Sequence, residues 1–170
     1  MDPALQELLD LKAIEAVIAR YSRTLDWLDD EGQAGCYWPD AAIDYGFFKG
    51  TAAEFVPVVM AIERASARRW HMISGLAVRL TSATTAEAEC YGIATGLRRE
   101  GDGPLIGNMY GGRYLDGFRK QAGEWRIARR NYIMDWSLPM PAQPDASPRA
   151  DFMLPILDIT QSGHPLYRPL

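Results

Sequence analysis

RRWHMISGLAVRLT (68–81) and, after a short turn, TAEAECYGIATGLRR (85–99) decide the architecture. Apolar and polar residues alternate along both with a period near two, the spacing of a strand and not of a helix. Two more segments of the same kind follow. GDGP (101–104) marks a turn and PLIGNMYGGRYLDGFRKQ (104–121) a third strand. Gln121–Gly123 is a hairpin turn and EWRIARRNYIMDWS (124–137) a fourth strand. Consecutive long strands joined by tight turns predict an antiparallel meander. Gly75, Gly92, Gly96, Gly107, Gly111, Gly112 and Gly117 fall inside the strands. Glycine there marks bulges and bends, so the sheet is expected to curve strongly.

Upstream the period lengthens. Ile14, Val17, Ile18, Tyr21, Leu25 and Leu28 recur at three- and four-residue steps and predict an amphipathic helix over roughly 4–28, ended by Asp29–Gly32. GQAGCYWPDAAIDYGFF (32–48) reads as a turn of helix and a short strand, with Pro39 and Asp40 as a turn and Ile43, Tyr45 and Phe47 alternating after it. A second helix starts near Thr51, because Thr51 and Glu54 have capping-box spacing. Phe55, Val58, Val59 and Ile62 give it an apolar face, and Pro57 predicts a kink or a late start. Two helices ahead of a meander make the class α+β, with helices packed on one face of a curved sheet and a pocket enclosed between them.

The chain of 170 residues carries 18 Lys+Arg and 22 Asp+Glu, a net charge of −4, and is 48% hydrophobic. That suits one domain with a real core. The mild acidity argues against nucleic-acid binding, which needs a concentrated basic face. No stretch approaches the ~20 apolar residues of a membrane span, and the acidic N-terminus lacks signal-peptide character. Cys36 and Cys90 have no metal-ligand spacing and read as small buried hydrophobes, so a reducing cytoplasm is the expected compartment. The domain is expected to span 1–137. The extension 138–170 holds 7 of the 11 prolines. Pro148 and others break it up, yet Phe152, Met153, Leu154, Ile156, Leu157, Ile159, Leu166 and Tyr167 make it too apolar for a solvated linker. It is expected to pack on its own domain or on a neighbouring subunit.

No phosphate loop, dinucleotide fingerprint, zinc motif or nucleophile elbow occurs. Two histidines cannot build a three-histidine metal site, so no metal is expected. Acid–base candidates remain. His71 lies on the first long strand. Strict alternation puts it with Ile73 and Ala77, opposite Trp70, Met72, Leu76, Val78 and Leu80. Its imidazole can serve as a base near neutral pH, although a structural histidine is the ordinary alternative. Asp26, near the first helix's end, sits off the apolar stripe, where a solvated acid is the ordinary reading. A carboxylate touching a histidine would instead fix its tautomer. Tyr21 is on the stripe, and a buried phenol usually finds a polar partner. Tyr45, Asn108, Tyr110 and Arg130 are further polar groups on strands.

Taken together, A-x-x-x-R-Y-S-R-x-L-D (16–26), Y-W-P-D-A (37–41), the strand histidine, N-M-Y-G-G-R-Y (108–114) and G-E-W-R-I-A-R-R (123–130) resemble the SnoaL-like family of the nuclear transport factor 2-like superfamily. The resemblance covers roughly residues 5–137. It is nearest to the branch of scytalone dehydratase, bile acid 7α-dehydratase and hexachlorocyclohexane dehydrochlorinase. It implies a cone of curved antiparallel sheet closed by helices around a deep pocket, catalysis without a cofactor, and a homotrimer. It also implies that His71 and Asp26 form the working pair. Tyr21 matches a pocket tyrosine of the bile acid enzyme, where the dehydrochlorinase has lysine. Arg130 matches the last-strand arginine of the dehydrochlorinase, and Tyr45 falls near a substrate-facing tyrosine of scytalone dehydratase. One departure stands out. The dehydratases' further acid or histidine on the second long strand falls near Ala94 or Thr95, so a second proton carrier is missing or placed elsewhere.

The function this implies is a cofactor-independent lyase performing a dehydratase-type elimination on a hydrophobic, aromatic or polycyclic hydroxylated small molecule. His71, Asp26 and Tyr21 would be catalytic, and Tyr45, Arg130, Asn108 and Tyr110 would contact substrate. Alternatives are a carbon–carbon lyase or isomerase using the same dyad, and a noncatalytic ligand-binding protein resembling the small subunits of ring-hydroxylating dioxygenases.

Overall fold

The computed structural model describes residues 2–144, 151 and 153–169; Pro148 and Phe152 of the extension lie outside them. Helix α1 runs Pro3–Asp26. Its first turn is capped by the Asp2 side chain, which accepts from the Ala4 N–H at 2.9 Å. The predicted stripe is its buried face: Ile14, Val17, Ile18, Tyr21 and Leu25 are all buried. The helix stops two residues earlier than periodicity predicts, because Leu28 adopts a left-handed conformation (φ 56°) and turns its side chain into the core. Asp29 then caps the short helix α2 (Asp30–Ala34), accepting from the Gly32 N–H.

Strand β1 (Tyr37–Asp44) contains Pro39 and Asp40, which the sequence reading assigns to a turn. The pairing of β1 with its neighbour is interrupted between Tyr37 and Ala42. A residue with no N–H to donate is tolerated in such a gap. Strand β2 (Lys49–Thr51) leads into helix α3 (Ala52–Ala65). The Thr51–Glu54 capping box is formed, and α3 starts at Ala52 with Pro57 inside it, so the proline does not delay the helix.

The four long strands follow as β3 (Arg68–Leu80), β4 (Thr85–Arg99), β5 (Leu105–Gln121) and β6 (Glu124–Gln143). The turn from β5 to β6 uses Ala122 (φ 49°) and Gly123 (φ 87°), the pair of positive φ values that matches strand twist in a two-residue hairpin. The sheet order is β2-β1-β6-β5-β4-β3. All pairings are antiparallel except β1 with β6. β6 continues past Ser137 through Pro139 to Gln143, still paired to β5. β1 covers only its stretch up to Asn131, so Pro139 sits on an open edge where a missing N–H costs little.

Bulges curve the sheet and decide which side chains face inward. In β3 the register shifts between Ser74 and Ala77, around Gly75 at φ 61°. Strict alternation therefore fails: Leu76, Val78 and Leu80 join Ile73 against the core, while Trp70 and Met72 stay exposed on the outer face. In β6 an extra residue at Ala128 puts Arg130 on the buried face with Trp125 and Ile127. The core lies between this concave face and the two long helices, with Ile14, Leu28, Phe55, Met60 and Ile127 fully buried. Each such side chain contributes ~1.5–3 kcal/mol relative to exposure. Cys36 and Cys90 are both free and buried; burial, the largest influence on each, pushes the Cys36 thiol up to about 11 and Cys90 to about 12.

The extension returns to its own domain. Ile159 is buried in the core cluster, its carbonyl accepts from Arg69 at 2.9 Å, and Asp158 pairs with Arg68. Tyr167 donates to the Asp29 carboxylate at 2.6 Å, and its ring lies 5.5 Å from that of Trp27. Met153, Leu154, Ile156 and Leu157 remain exposed.

Candidate active site

His71, Ala94 and Tyr110 pair directly with one another across β3, β4 and β5. They form a row on the concave face, and all three line a cavity of about 480 Å³ beneath the helices. The rest of its wall is mostly apolar and aromatic: Leu25, Val59, Ile62 and Met134 with Tyr21, Tyr45, Tyr114 and Tyr132.

Asp26, the last residue of α1, reaches His71 from above. Its Oδ1 lies 2.7 Å from the ring Nδ1. Its Oδ2 accepts the backbone N–H of the same histidine at 3.1 Å. Two contacts from one carboxylate fix both the strand and the ring. An ionised carboxylate only accepts, so Nδ1 carries the proton and the Nε2 lone pair is free. Burial of the ring opposes a positive charge, but the Asp26 hydrogen bond and the charges of Glu63 and Asp26 outweigh it and raise the His71 pKa above 6.5.

The other end of the cavity is a cluster of phenols. The Tyr21 and Tyr45 hydroxyls are 2.9 Å apart. One donates to the other, and the acceptor keeps its own proton for a ligand oxygen. Tyr45 stacks between Phe55 and Tyr132, which holds its ring in place. Beneath them Arg130 is fully buried and bound through two hydrogen bonds to the buried Asp116, at 2.8 and 2.6 Å. Its guanidinium lies 4.1 Å from the Tyr21 ring centroid and 4.5 Å from that of Tyr114. Burial pushes the Tyr21, Tyr114 and Tyr45 hydroxyls above the ordinary phenol range, with Arg130 pulling the other way. They are donors at neutral pH.

The structure thus brings His71, Asp26, Tyr21, Tyr45 and Tyr110 to one place. Arg130 stands one layer behind the wall, paired with Asp116, and meets the site through the Tyr21 and Tyr114 rings. Asn108 is not on the cavity wall; its side chain donates to the Tyr110 hydroxyl at 3.2 Å. The residue that sequence reasoning missed is Glu63 in the last turn of α3. Only 8% exposed, it lines the cavity and lies across the histidine ring from Asp26. Its signal was present: it follows Phe55 and Val59 at four-residue steps, so an acid occupies the apolar stripe.

Residues 6–131 match the family model of the SnoaL-like domain. The chain belongs to the SnoaL-like family. Solved structures of the same fold include a scytalone dehydratase-like protein from Novosphingobium aromaticivorans, with TM-score 0.71 and 22% identity over 86% of this chain and 99% of that one. Another is the hexachlorocyclohexane dehydrochlorinase LinA-type3 from Novosphingobium barchaimii, with TM-score 0.73 and 16% identity over 85% and 99%. A cystatin-like protein of unknown function from Nostoc punctiforme matches with TM-score 0.62 and 22% identity over 75% and 92%. No curated protein matches the sequence at a significant level. Among the described residues no helix is long and apolar enough to cross a membrane, and no three His, Cys, Asp or Glu side chains group as a metal ion would require.

Proposed function

We propose that this SnoaL-like protein is a cofactor-independent lyase that removes water from a hydrophobic, aromatic or polycyclic hydroxylated small molecule. The observation that carries the reading is the Asp26–His71 contact of 2.7 Å inside a largely apolar cavity. With Nδ1 held by Asp26, Nε2 takes a proton from a substrate carbon. Asp26 offsets the positive charge that forms on the ring. A carbon acid of this kind must be activated by a carbonyl or phenol conjugated with the reacting carbon. The hydroxyls of Tyr21, Tyr45 and Tyr110 donate to that oxygen as negative charge develops on it. General-base catalysis supplies ~10²–10⁴-fold, and preorganised donors in a largely apolar cavity supply the rest.

The working form is a homo-oligomer, a trimer by family resemblance, acting in the cytoplasm without nucleic acid or membrane. The outer sheet face supports the assembly. Trp70 and Leu138 belong to one row of paired residues, Met72 and Trp136 to the next, and Tyr91 and Ile133 to a third. All six are at least 40% exposed, an apolar patch of the kind that soluble monomers avoid. Sedimentation would read the mass directly.

The activity is tested by incubating the protein with hydroxylated aromatic ketones and following loss of water by mass spectrometry. Wild type is expected to convert at least one, and His71→Ala to lose nearly all turnover. A His71→Ala variant with most of its rate would move the base elsewhere. Conversion without mass change would make the enzyme an isomerase using the same base.

A further inference from the structure

Glu63 is the buried acid that this mechanism leaves idle. α3 carries it at the position of its stripe that points at the strand histidine. Its Oε1 lies 3.7 Å from His71 Nε2 and its Oε2 lies 4.0 Å from Arg69 Nε. Among the described residues its carboxyl makes no hydrogen bond. Arg69 does not claim it, because that guanidinium is committed to the backbone carbonyls of Glu63, Ser66 and Ile159. A buried carboxyl with no hydrogen bond is costly, which asks for a use.

The surroundings leave room for one. The residue paired with His71 on β4 is Ala94, so the neighbouring strand offers only a methyl group beside the ring. Glu63 and His71 also line a second cavity, of about 260 Å³, whose wall includes Ser66, Thr95 and Arg98. The acid and the Nε2 atom therefore stand together at the meeting of two open volumes, where a ligand or water can touch both. Asp26 occupies the other side of the ring and is committed to Nδ1 and the backbone.

We propose that Glu63 is the second proton carrier of this site, protonating the leaving hydroxyl from the same side on which His71 removes the carbon-bound hydrogen. The inference rests on the dehydratase reading. The C–H bond breaks and its proton goes to Nε2. The electron pair becomes the new carbon–carbon double bond as the C–O bond breaks. The Glu63 carboxyl proton goes to the departing oxygen, which leaves as water. Imidazolium and carboxylate are then 3.7 Å apart, and the proton passes from Nε2 to Glu63 directly or through that water. The cycle closes with no external acid or base. Burial, the largest influence on Glu63, favours its neutral form; the charge of Asp26 adds to this, while those of His71 and Arg69 oppose it. The active state is the His71–Glu63 pair holding one proton, and its two titrations belong to the pair.

The test uses leaving-group dependence. The probes are a β-hydroxytetralone, whose hydroxyl needs a proton to leave, and its acetate ester, whose acetate leaves as an anion. Glu63→Gln keeps the shape and removes the acid. It is expected to lose ~10²–10⁴-fold on the alcohol and less than about tenfold on the ester, while His71→Ala loses both. Wild type should show a bell-shaped pH profile on the alcohol, and Glu63→Gln should lack the alkaline limb on the ester. Glu63→Asp, if Glu63→Gln does not fold, should recover part of the alcohol rate. Equal losses of Glu63→Gln on both probes, or no loss on either, overturn the role of Glu63 and leave His71 as base. A wild type inert on both probes overturns the dehydratase reading itself and this role with it.

Discussion

Asp26→Asn perturbs the site at its most constrained point. The carboxylate accepts two hydrogen bonds from His71, one from the ring and one from the backbone. A hydrogen bond to a charged group contributes ~1.5–3 kcal/mol, and each pKa unit corresponds to about 1.4 kcal/mol. Removing the charge should therefore lower the His71 pKa, since the Asp26 hydrogen bond and charge are among the causes that raise it. It should not collapse further, because Glu63 keeps its place 3.7 Å from Nε2. The amide can also offer its NH₂ to Nδ1, which would move the ring proton to Nε2 and remove the base. Loss of the correct tautomer in the Ser–His–Asp triads lowers turnover by ~10⁴-fold, so a fall of ~10²–10⁴-fold is expected here. NMR titration of the imidazole, which needs no substrate, is the primary assay. Stability supplies a second readout with a definite sign. A raised His71 pKa stabilises the folded state fully below the ordinary value of 6.5, and this is lost as pH rises through the folded pKa. The melting difference between wild type and variant should thus be larger at about pH 6 than above that window. A His71 that titrates in the variant as in wild type would show that Asp26 does not hold the ring in solution.

Asp116→Asn should cost ~3–5 kcal/mol in urea unfolding, because it leaves the fully buried Arg130 without its counter-charge; a loss below about 1 kcal/mol would mean that the tyrosines alone satisfy the guanidinium. Gly75→Val places a branched side chain at φ 61°, against the Tyr91 ring. A cost of ~1–3 kcal/mol in strain is expected, together with a change in the His71 titration, four residues away on the same strand. Ending the chain after Pro144 removes Ile159 from the core and Tyr167 from Asp29 and Trp27. Loss of the buried isoleucine alone predicts ~1.5–3 kcal/mol, read by thermal unfolding, and unchanged stability would mean that the extension is not docked in solution.

Local rules account for much of the fold. The stripe of α1, the Thr51–Glu54 cap and the residue limits of β4 can be read from spacing and turn chemistry alone. Features set by a single added residue, or by contacts distant in sequence, escape such a reading. The bulges at Gly75 and Ala128 reverse the parity of the residues after them, and alternation carries no sign of where the extra residue falls. The left-handed Leu28 ends α1 early because a buried site for its side chain exists in the folded state only. Pro39 enters a strand because its partner's register has a gap there. Asp26 lies off the stripe of its own helix and meets a residue 45 positions later, so periodicity alone assigns it to solvent. Family resemblance pointed to that pair. Glu63 was legible and overlooked, since a carboxyl at a core position of an amphipathic helix is itself an anomaly.

The inserted residue in β3 separates two duties that a regular strand would tie together. Upstream of Gly75 the inward-facing His71 serves the cavity; downstream, Leu76, Val78 and Leu80 serve the core. In an unbroken strand, turning His71 inward would turn all three leucine and valine side chains out to water. With the insertion, each half keeps its own inside. Substitutions around His71 can reshape what the cavity accepts without asking the lower half to repack, and the core can drift without moving His71. A fold arranged in this way can vary what its cavity admits while the residues that hold the core together stay as they are.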